Sequence, residues 1–221
     1  MAREAVGGRG AVLIIRAVLI GSLVAVLVLV LYEPAAQAPE RFIEQLHIEH
    51  ELTASVWGEE HAMRILARML DLHADAREAA AAPTGMAEVG TANALDTAVA
   101  NQMSEAGARL FGSRYFKSVD ALFALATYRV CGWLEWLPVV LVFVAAAIFD
   151  GLVRRVVKSK EFRHHDPELF ALHACLVIMI AGATAIAFVL PVTVHPMLLG
   201  VAPLGMGVFA SGAVANFHRR A

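Results

Sequence analysis

Apolar residues occur in long, almost uninterrupted runs along this chain. Residues 11–32 are almost entirely apolar and carry one charge, at Arg16, and residues 169–217 carry no formal charge. A helix that rises 1.5 Å per residue needs about 20 apolar residues to cross the hydrocarbon core of a bilayer. The first run therefore predicts one membrane span. The second is long enough for two, and Pro191 and Pro196 predict a turn between them, because proline ends or kinks a helix.

A further span is predicted at residues 130–153. Its uncharged part extends from Trp136 to Phe149, so Glu135 and Asp150 are expected at its two interfaces, and Pro138 is expected to kink it. The predicted fold class is all-α: an integral membrane protein with four transmembrane helices and a helical periplasmic segment between spans one and two.

The chain is expected to divide into nine segments. In order they are a cytoplasmic N-terminus (1–10), the first span as a signal anchor (11–32), the periplasmic segment (33–129), the second span (130–153), a basic cytoplasmic loop (154–168), the third span (169–190), a periplasmic turn (191–196), the fourth span (197–217) and a cytoplasmic C-terminus (218–221).

A cleaved signal peptide is the alternative for the first span. Arg3 and Arg9 form a basic n-region, and residues 36–38 read Ala-Gln-Ala, which is typical of a cleavage site. The apolar run is longer than the 7–15 residues of a signal peptide, and Pro39 directly follows the motif. An uncleaved signal anchor is therefore favoured.

The periplasmic segment has a helical pattern. Its proline-bearing start, residues 33–39, is not expected to be regular helix, whereas residues 40–82 predict one or two helices, with Gly58 as the break. A linker is predicted at 79–93, helix around 94–110, and a last helix that begins near Ser118 as its N-cap and continues into the second span. Apolar side chains recur at helical spacing at Phe42, Ile43, Leu46, Trp57, Ile65, Leu66, Met69 and Leu70.

Composition and charge agree with a membrane protein. The chain is 59% hydrophobic and 17% charged, whereas a soluble domain is about 45–50% apolar and about 25% charged. Its 18 basic and 20 acidic residues give no basic excess, so no direct binding of nucleic acid is expected.

The charges are distributed unevenly along the chain. Residues 154–163 contain five Lys and Arg, and residues 33–132 contain eight basic and fourteen acidic residues. The positive-inside rule then places both termini and the 154–168 loop in the cytoplasm.

Two kinds of interaction site are predicted. The basic loop is a candidate surface for docking a partner protein or anionic lipid headgroups, through Arg154, Arg155, Lys158, Lys160, Arg163, His164 and His165. Stripes of small residues let helix backbones approach closely, within this chain or with another chain, so that an oligomer is one of the assemblies they allow. These helix-packing candidates are Gly207, Ser211 and Ala215 on span four, and Ala181 and Ala185 on span three.

No catalytic, metal or cofactor site is predicted. His47, His50 and His61 lie in a histidine-rich and glutamate-rich region, but the HExxH pattern is absent and an adventitious surface patch is the favoured interpretation. A metal-dependent membrane enzyme that uses the cluster from His47 to His73 is one alternative. A small-solute transporter or channel is another, although no charged residue lies at mid-depth in spans three and four.

Four stretches of the chain resemble a known family. They run from Tyr115 to Asp120 (YFKSVD), from residue 126 to 138 (ATYRVCGWLEWLP), from residue 149 to 155 (FDGLVRR) and from residue 162 to 167 (FRHHDP). Together they are similar to the integrating conjugative element membrane proteins, whose shared domain has no assigned function. The resemblance covers about residues 40–220, most firmly 111–187.

The resemblance implies a non-enzymatic accessory protein in the bacterial inner membrane. Such a protein would act in conjugative DNA transfer beside type IV secretion components and would associate with the coupling-protein ATPase, which feeds DNA to the channel, or with another membrane component. The family has no established catalytic residues, so none are assigned to this chain.

Overall fold

A computed structural model of the chain describes residues 2–81, 113–161 and 166–217. Its helices within those ranges are α1 (Ala2–Ala36), α2 (Pro39–Trp57), α3 (Glu59–Ala81), α4 (Arg114–Lys160), α5 (Pro167–Val189) and α6 (Pro196–Asn216). The described residues contain no strand, which agrees with the all-α prediction.

Four of these helices are long and apolar enough to cross a membrane. They are α1, α4, α5 and α6, and they match the four predicted spans, the third and fourth of which were predicted one residue too long at their C-terminal ends. Large apolar side chains such as Leu23 on α1 and Val142 on α4 are exposed to the surroundings. Length, composition and exposed apolar faces are therefore compatible with a multi-pass membrane protein.

Proline opens three of the helices. Pro39, Pro167 and Pro196 stand at the first turns of α2, α5 and α6, where the missing N–H has no helical partner to lose. The Oδ1 atom of Asp166 caps α5 by accepting a hydrogen bond from the Glu168 amide at 2.9 Å. The turn between α5 and α6 thus lies between the two prolines named from the sequence.

The prediction that residues 33–39 cannot be regular helix is wrong for residues 33–36. α1 continues through Pro34 to Ala36, so that the break before α2 is two residues long. Proline is tolerated here because it removes a single hydrogen bond close to the end of the helix. The carbonyl oxygen of Glu33, directly before the proline, still accepts a helical hydrogen bond, from the Gln37 amide at 2.9 Å.

The start of α4 also differs from the prediction. The helix begins at Arg114, and Ser113 rather than Ser118 stands at its N-terminus, where its hydroxyl lies 3.5 Å from the Phe116 amide. Ser118 is fully buried, and its hydroxyl donates a hydrogen bond to Gln37 O at 3.1 Å. Serine suits both places, and only packing distinguishes them.

Two predicted non-helical segments are partly helical. α4 extends to Lys160, so the first part of the 154–168 loop is helix, and α3 extends to Ala81, so the 79–93 linker begins with helix. The remaining linker, the helix expected around 94–110 and residues 162–165 lie outside the described residues. Lysine, arginine and alanine favour helix, which explains both extensions.

The helices form two compact units. The bundle unit comprises Met1–Val30, Gly132–Leu190 and Val194–Ala221, and the head unit comprises Leu31–Cys131 and Pro191–Thr193. In the bundle unit α5 packs along α6, and in the head unit α2 packs along α3. The core of the head unit contains Phe42, Leu46, Ile65, Met69 and Leu125.

Candidate functional site

The predicted packing residues of α6 lie on its buried face. Gly207, Ser211 and Ala215 are all buried. A Cβ at Gly151 of α4 would lie 2.5 Å from Ser211 O, and a Cβ at Gly207 would lie 3.0 Å from a methyl group of Val144. α4 and α6 therefore approach closely, backbone to backbone, where small residues face each other.

On α5 the buried small residues are not the predicted ones. Ala181 is exposed and Ala185 is half-buried, whereas Gly182 is buried and a Cβ there would collide with the hydroxyl of Ser22 on α1. The buried residues of α5 are Ala171, Cys175, Gly182 and Val189. Small residues occur on more than one face of α5, so their spacing alone could not select the buried face.

The predicted basic surface divides into two parts. Arg155 lies with its guanidinium 5.1 Å from the centre of the Phe217 ring, and Lys158 Nζ donates a hydrogen bond to Asn216 Oδ1 at 2.7 Å. These two side chains fasten the last turns of α4 to the end of α6. Arg154 and Lys160 point outward, with Arg154 66% exposed in an ion pair with Asp150 at 2.8 Å.

The other predicted residues of that surface, Arg163, His164 and His165, lie outside the described residues. Within the described part, Arg154 and Lys160 are thus the members of the set that are available to a partner. The first lies in an exposed ion pair, which is worth about 0–1 kcal/mol and exchanges at little cost.

The histidines singled out from the sequence lie apart in their contacts. His47 is exposed, His50 Nδ1 lies 3.4 Å from the Tyr128 hydroxyl, and His61 Nδ1 lies 3.0 Å from Arg64 Nη2. Across residues 2–81, 113–161 and 166–217, no three His, Cys, Asp or Glu side chains come together in an arrangement that could hold a metal ion.

A buried ion pair in the head unit was not predicted from the sequence. Arg129 on α4 and Glu49 on α2 have side chains that are 1% and 4% exposed. The guanidinium binds the carboxylate through two hydrogen bonds, from Nε to Oε2 at 2.9 Å and from Nη2 to Oε1. This bidentate geometry is the strong form of an arginine–carboxylate contact.

The same pair holds the turn between α5 and α6. Arg129 Nη2 donates to Val192 O at 2.8 Å. Gln45 Nε2 donates to Glu49 Oε1 and to Thr193 Oγ1, both at 3.1 Å. Three segments that are distant in sequence, namely α2, α4 and residues 191–193, are therefore joined by one polar network.

Burial explains why these partners need each other. Taking a charge out of water costs several kcal/mol, and the cost is recovered only when the partner is close and the remaining polar atoms are hydrogen-bonded. One signal in the sequence bears on this pair. Gln45 and Glu49 share the buried face of α2 with Phe42, Leu46 and Thr53, so polar residues interrupt an apolar stripe.

A second, more exposed polar cluster joins α3 to α4. Arg77 pairs with Asp120 through both guanidinium and carboxylate forks, and His73 Nε2 lies 3.3 Å from Asp120 Oδ1. The hydrogen bond to Asp120 raises the pKa of Arg77, which keeps its charge. The His73 ring also packs on Phe123, with 5.6 Å between the ring centres.

These arrangements position helices. The Arg129 network and the Asp120 cluster connect elements of the head unit, while Arg155 and Lys158 connect helix ends of the bundle unit. The charged side chains in these contacts are satisfied by neighbouring groups of the same chain.

A family model matches most of the chain. The family is described as IncC plasmid conjugative DNA transfer protein DtrJ-like, and the match covers residues 42–218. No curated protein and no solved structure matches the chain. The prediction of a family associated with conjugative transfer is confirmed. Because the match extends over well more than half of the chain, the chain belongs to the DtrJ-like family of conjugative DNA transfer proteins.

Proposed function

We propose that this protein is a non-enzymatic, four-span component of the inner membrane that helps to assemble the conjugative DNA transfer apparatus. The observation that carries the proposal is the exposed apolar surface of α1, α4, α5 and α6 in a chain of a conjugative transfer family. Contiguous apolar surface of this extent is stable in lipid and unstable in water.

The distribution of charge supports one orientation. Basic residues concentrate around the C-terminal end of α4 and the two ends of the chain, whereas residues 33–132 carry more acidic than basic groups. The positive-inside rule then places both termini and the α4–α5 connection in the cytoplasm, and the head unit in the periplasm.

The use of charged residues supports a role in assembly. Arg129 and Glu49 bind one another, and Arg155 and Lys158 contact the end of α6. An assembly component needs such a rigid frame together with a surface that a partner can reach. Arg154 and Lys160 supply that surface on the last turns of α4, and the coupling-protein ATPase or another membrane component of the apparatus is the proposed partner.

Two experiments test the proposal. A clean deletion, complemented in trans, should lower the mating frequency, and complementation should restore it. Transfer that is unchanged in the deletion strain would contradict the assignment to the apparatus.

The docking surface is tested by two matched pairs of substitutions. Arg154→Glu with Lys160→Glu should reduce the coupling protein recovered with the tagged chain from detergent-solubilised membranes, because attraction becomes repulsion at an exposed surface. Arg155→Gln with Lys158→Gln is the control, because these residues contact the end of α6 within the same chain. This pair should lower the recovery of the coupling protein only as far as it lowers the amount of the tagged chain. If the first pair left both the recovery of the coupling protein and DNA transfer unchanged, the docking role would be contradicted.

A further inference from the structure

The hairpin formed by α2 and α3 carries apolar side chains at its tip, residues 55–63, where α2 ends and α3 begins. Trp57 is half-buried and Met63 is 51% exposed. The chain has three tryptophans, and the other two, Trp133 and Trp136, stand at the start of the second predicted span. Tryptophan is enriched where the headgroups of a bilayer meet its hydrocarbon, so the depth of Trp57 relative to the membrane is of interest.

Helix α2 runs beside α4 in the same direction. The Ser118 hydroxyl donates to Gln37 O at 3.1 Å, and Arg129 Nε donates to Glu49 Oε2 at 2.9 Å. Between these two contacts, the segment that leads into α2 advances by 12 residues and α4 by 11, so both keep the same pace. α2 then continues for eight residues beyond Glu49 to Trp57, which adds about 12 Å in the direction of α4.

Helix α3 runs beside α4 in the opposite direction and places the tip at the same level. His73 Nε2 lies 3.3 Å from Asp120 Oδ1, and the His73 ring packs on Phe123. Gly58 precedes His73 by 15 residues, about 22 Å along α3. Arg129 follows Asp120 by nine residues and Phe123 by six, about 9–14 Å along α4. The tip therefore lies about 9–14 Å beyond Arg129.

Arg129 marks the level at which the chain enters the predicted spans. The second span is predicted to begin at residue 130, and the Val192 oxygen that binds Arg129 belongs to the turn between α5 and α6. The uncharged stretch of the second span begins after Glu135, six residues or about 9 Å beyond Arg129. The headgroup layer of a bilayer is about 5–8 Å thick. The hairpin tip is therefore expected where headgroups meet hydrocarbon.

The side chains of the tip suit that depth. Glu59 and Glu60 are exposed, and Glu60 lies 3.8 Å from Arg64 with its side chain 92% exposed. Carboxylates are costly in hydrocarbon and remain among the headgroups. Trp57 and Met63, in contrast, are stabilised by contact with acyl chains. Charged and apolar side chains side by side are typical of a segment that lies in the membrane interface without crossing the bilayer.

We propose that the hairpin tip, residues 55–63, is a lipid-binding surface that contacts the outer leaflet of the membrane through Trp57 and Met63. Its occupant is the phospholipid of the bilayer in which the same chain is anchored. The proposal rests on the proposed function for the placement of the four spans in lipid. It adds a membrane contact made by the head unit, outside those spans.

The fluorescence of Trp57 tests the contact. The full-length chain with Trp133→Phe and Trp136→Phe, which keeps Trp57 as its tryptophan, is reconstituted into phosphatidylcholine nanodiscs. Lipids brominated near the headgroup end of their acyl chains should quench most of the Trp57 emission, and lipids brominated near the chain ends should quench less. Emission that neither lipid lowers would overturn the proposal.

A tryptophan at the other end of α3 is the matched control. Leu72→Trp, made in the same chain with Trp57→Phe, replaces an apolar side chain that is 42% exposed. Residue 72 lies 14 residues from Gly58, about 21 Å along α3, so brominated lipid should leave its emission unchanged. Equal quenching at residues 57 and 72 would contradict a contact that is specific to the tip.

Spin labels give a second readout in a chain that keeps its tryptophans. The full-length chain carries Cys131→Ala and Cys175→Ala, which remove the two buried thiols, and one new cysteine for the label. Oxygen is enriched in lipid, whereas a nickel chelate stays in water. The ratio of oxygen to nickel-chelate accessibility should be several times higher at Ser55→Cys, on the tip, than at Leu72→Cys.

A label within the second predicted span separates this proposal from the proposed function. Val142→Cys, at a side chain that is 70% exposed, should have the highest ratio. Equal ratios at Ser55→Cys and Leu72→Cys, with a high ratio at Val142→Cys, would overturn the tip contact and leave the four spans in place. A ratio at Val142→Cys as low as that at Leu72→Cys would contradict the spans themselves and the tip contact with them.

Discussion

Arg129 and Glu49 are charged groups that the head unit holds almost entirely out of water. Each compensates the burial of the other, and Gln45 and Val192 O satisfy further polar positions. A pair of this kind adds little stability relative to an apolar pair of the same size, but it penalises any arrangement in which one partner is missing.

The first prediction follows for single and double substitutions at this pair. Arg129→Met should lower the free energy of unfolding by about 3–5 kcal/mol, because Glu49 is left buried and unpaired. Adding Glu49→Met should recover part of that loss, so that the two substitutions are not additive. Equilibrium unfolding in mixed micelles, followed by circular dichroism, measures both.

The exposed pair of Arg154 and Asp150 provides the control. Arg154→Met should change the free energy of unfolding by about 1 kcal/mol or less, since solvent screens the charges. If Arg129→Met and Arg154→Met lowered the free energy of unfolding equally, burial would not determine how much an ion pair contributes to it.

Gly58 is the residue that separates α2 from α3. Its φ of 90° and ψ of 153° lie in a region that is essentially restricted to glycine. No atom lies within 4 Å of the place where a Cβ would be, so a substitution there meets open space and only the backbone resists it.

Gly58→Ala should therefore lower the free energy of unfolding by about 1–3 kcal/mol through backbone strain. Gly21→Ala is the matched control, because it also meets open space but lies in the regular helix α1. There alanine should be neutral or stabilising. If both changes have the same effect in the unfolding assay, strain at Gly58 is not the cause.

At the scale of elements, α4 and α6 pack through close approach of their backbones rather than through interlocking large side chains. Gly151 faces the backbone of Ser211, which cannot move aside as a flexible side chain can. The contact depends on a missing methyl group. Close helix packing of this kind is common where lipid surrounds the helices, because apolar burial then gives little drive for association.

Gly151→Ala should force these helices apart and lower the free energy of unfolding by about 1–3 kcal/mol, the usual cost of overpacking. Gly205→Ala on α6 is the control, since its Cβ would meet Ile180 Cδ1 at an ordinary 3.5 Å. Thermal unfolding in detergent compares the two. A Gly205→Ala variant that loses as much stability as Gly151→Ala would contradict a specific contact at Gly151.

At the scale of the whole molecule, the prediction concerns which side of the membrane each part occupies. Alkaline phosphatase is active only after export, so a fusion truncated after Gly58 should be active and a fusion after Asn216 should be inactive. The reason is the excess of basic residues at the chain ends and around the C-terminal end of α4. Activity of the Asn216 fusion would reverse the proposed orientation.

The sequence by itself was sufficient for the helical class, the four apolar helices and the family. Apolar runs, prolines and helix formers act through free energies that depend on nearby residues, such as the transfer of a 20-residue segment into lipid or the loss of an amide donor at Pro196. The same local terms account for the break at Gly58. They did not predict the structure correctly at Pro34 and Ser118, because each residue has two acceptable local roles and its position in the packed structure decides between them.

Only the tertiary structure decided which residues act together. Arg129 and Glu49 are 80 positions apart, and no local pattern specifies that one should meet the other. Packing likewise selected Gly182 over Ala181 on α5, and it divided the basic residues into Arg155 and Lys158, which hold α6, and Arg154 and Lys160, which remain at the surface. Partners and buried faces depend on how helices pack, and that free energy belongs to contacts between distant parts of the chain.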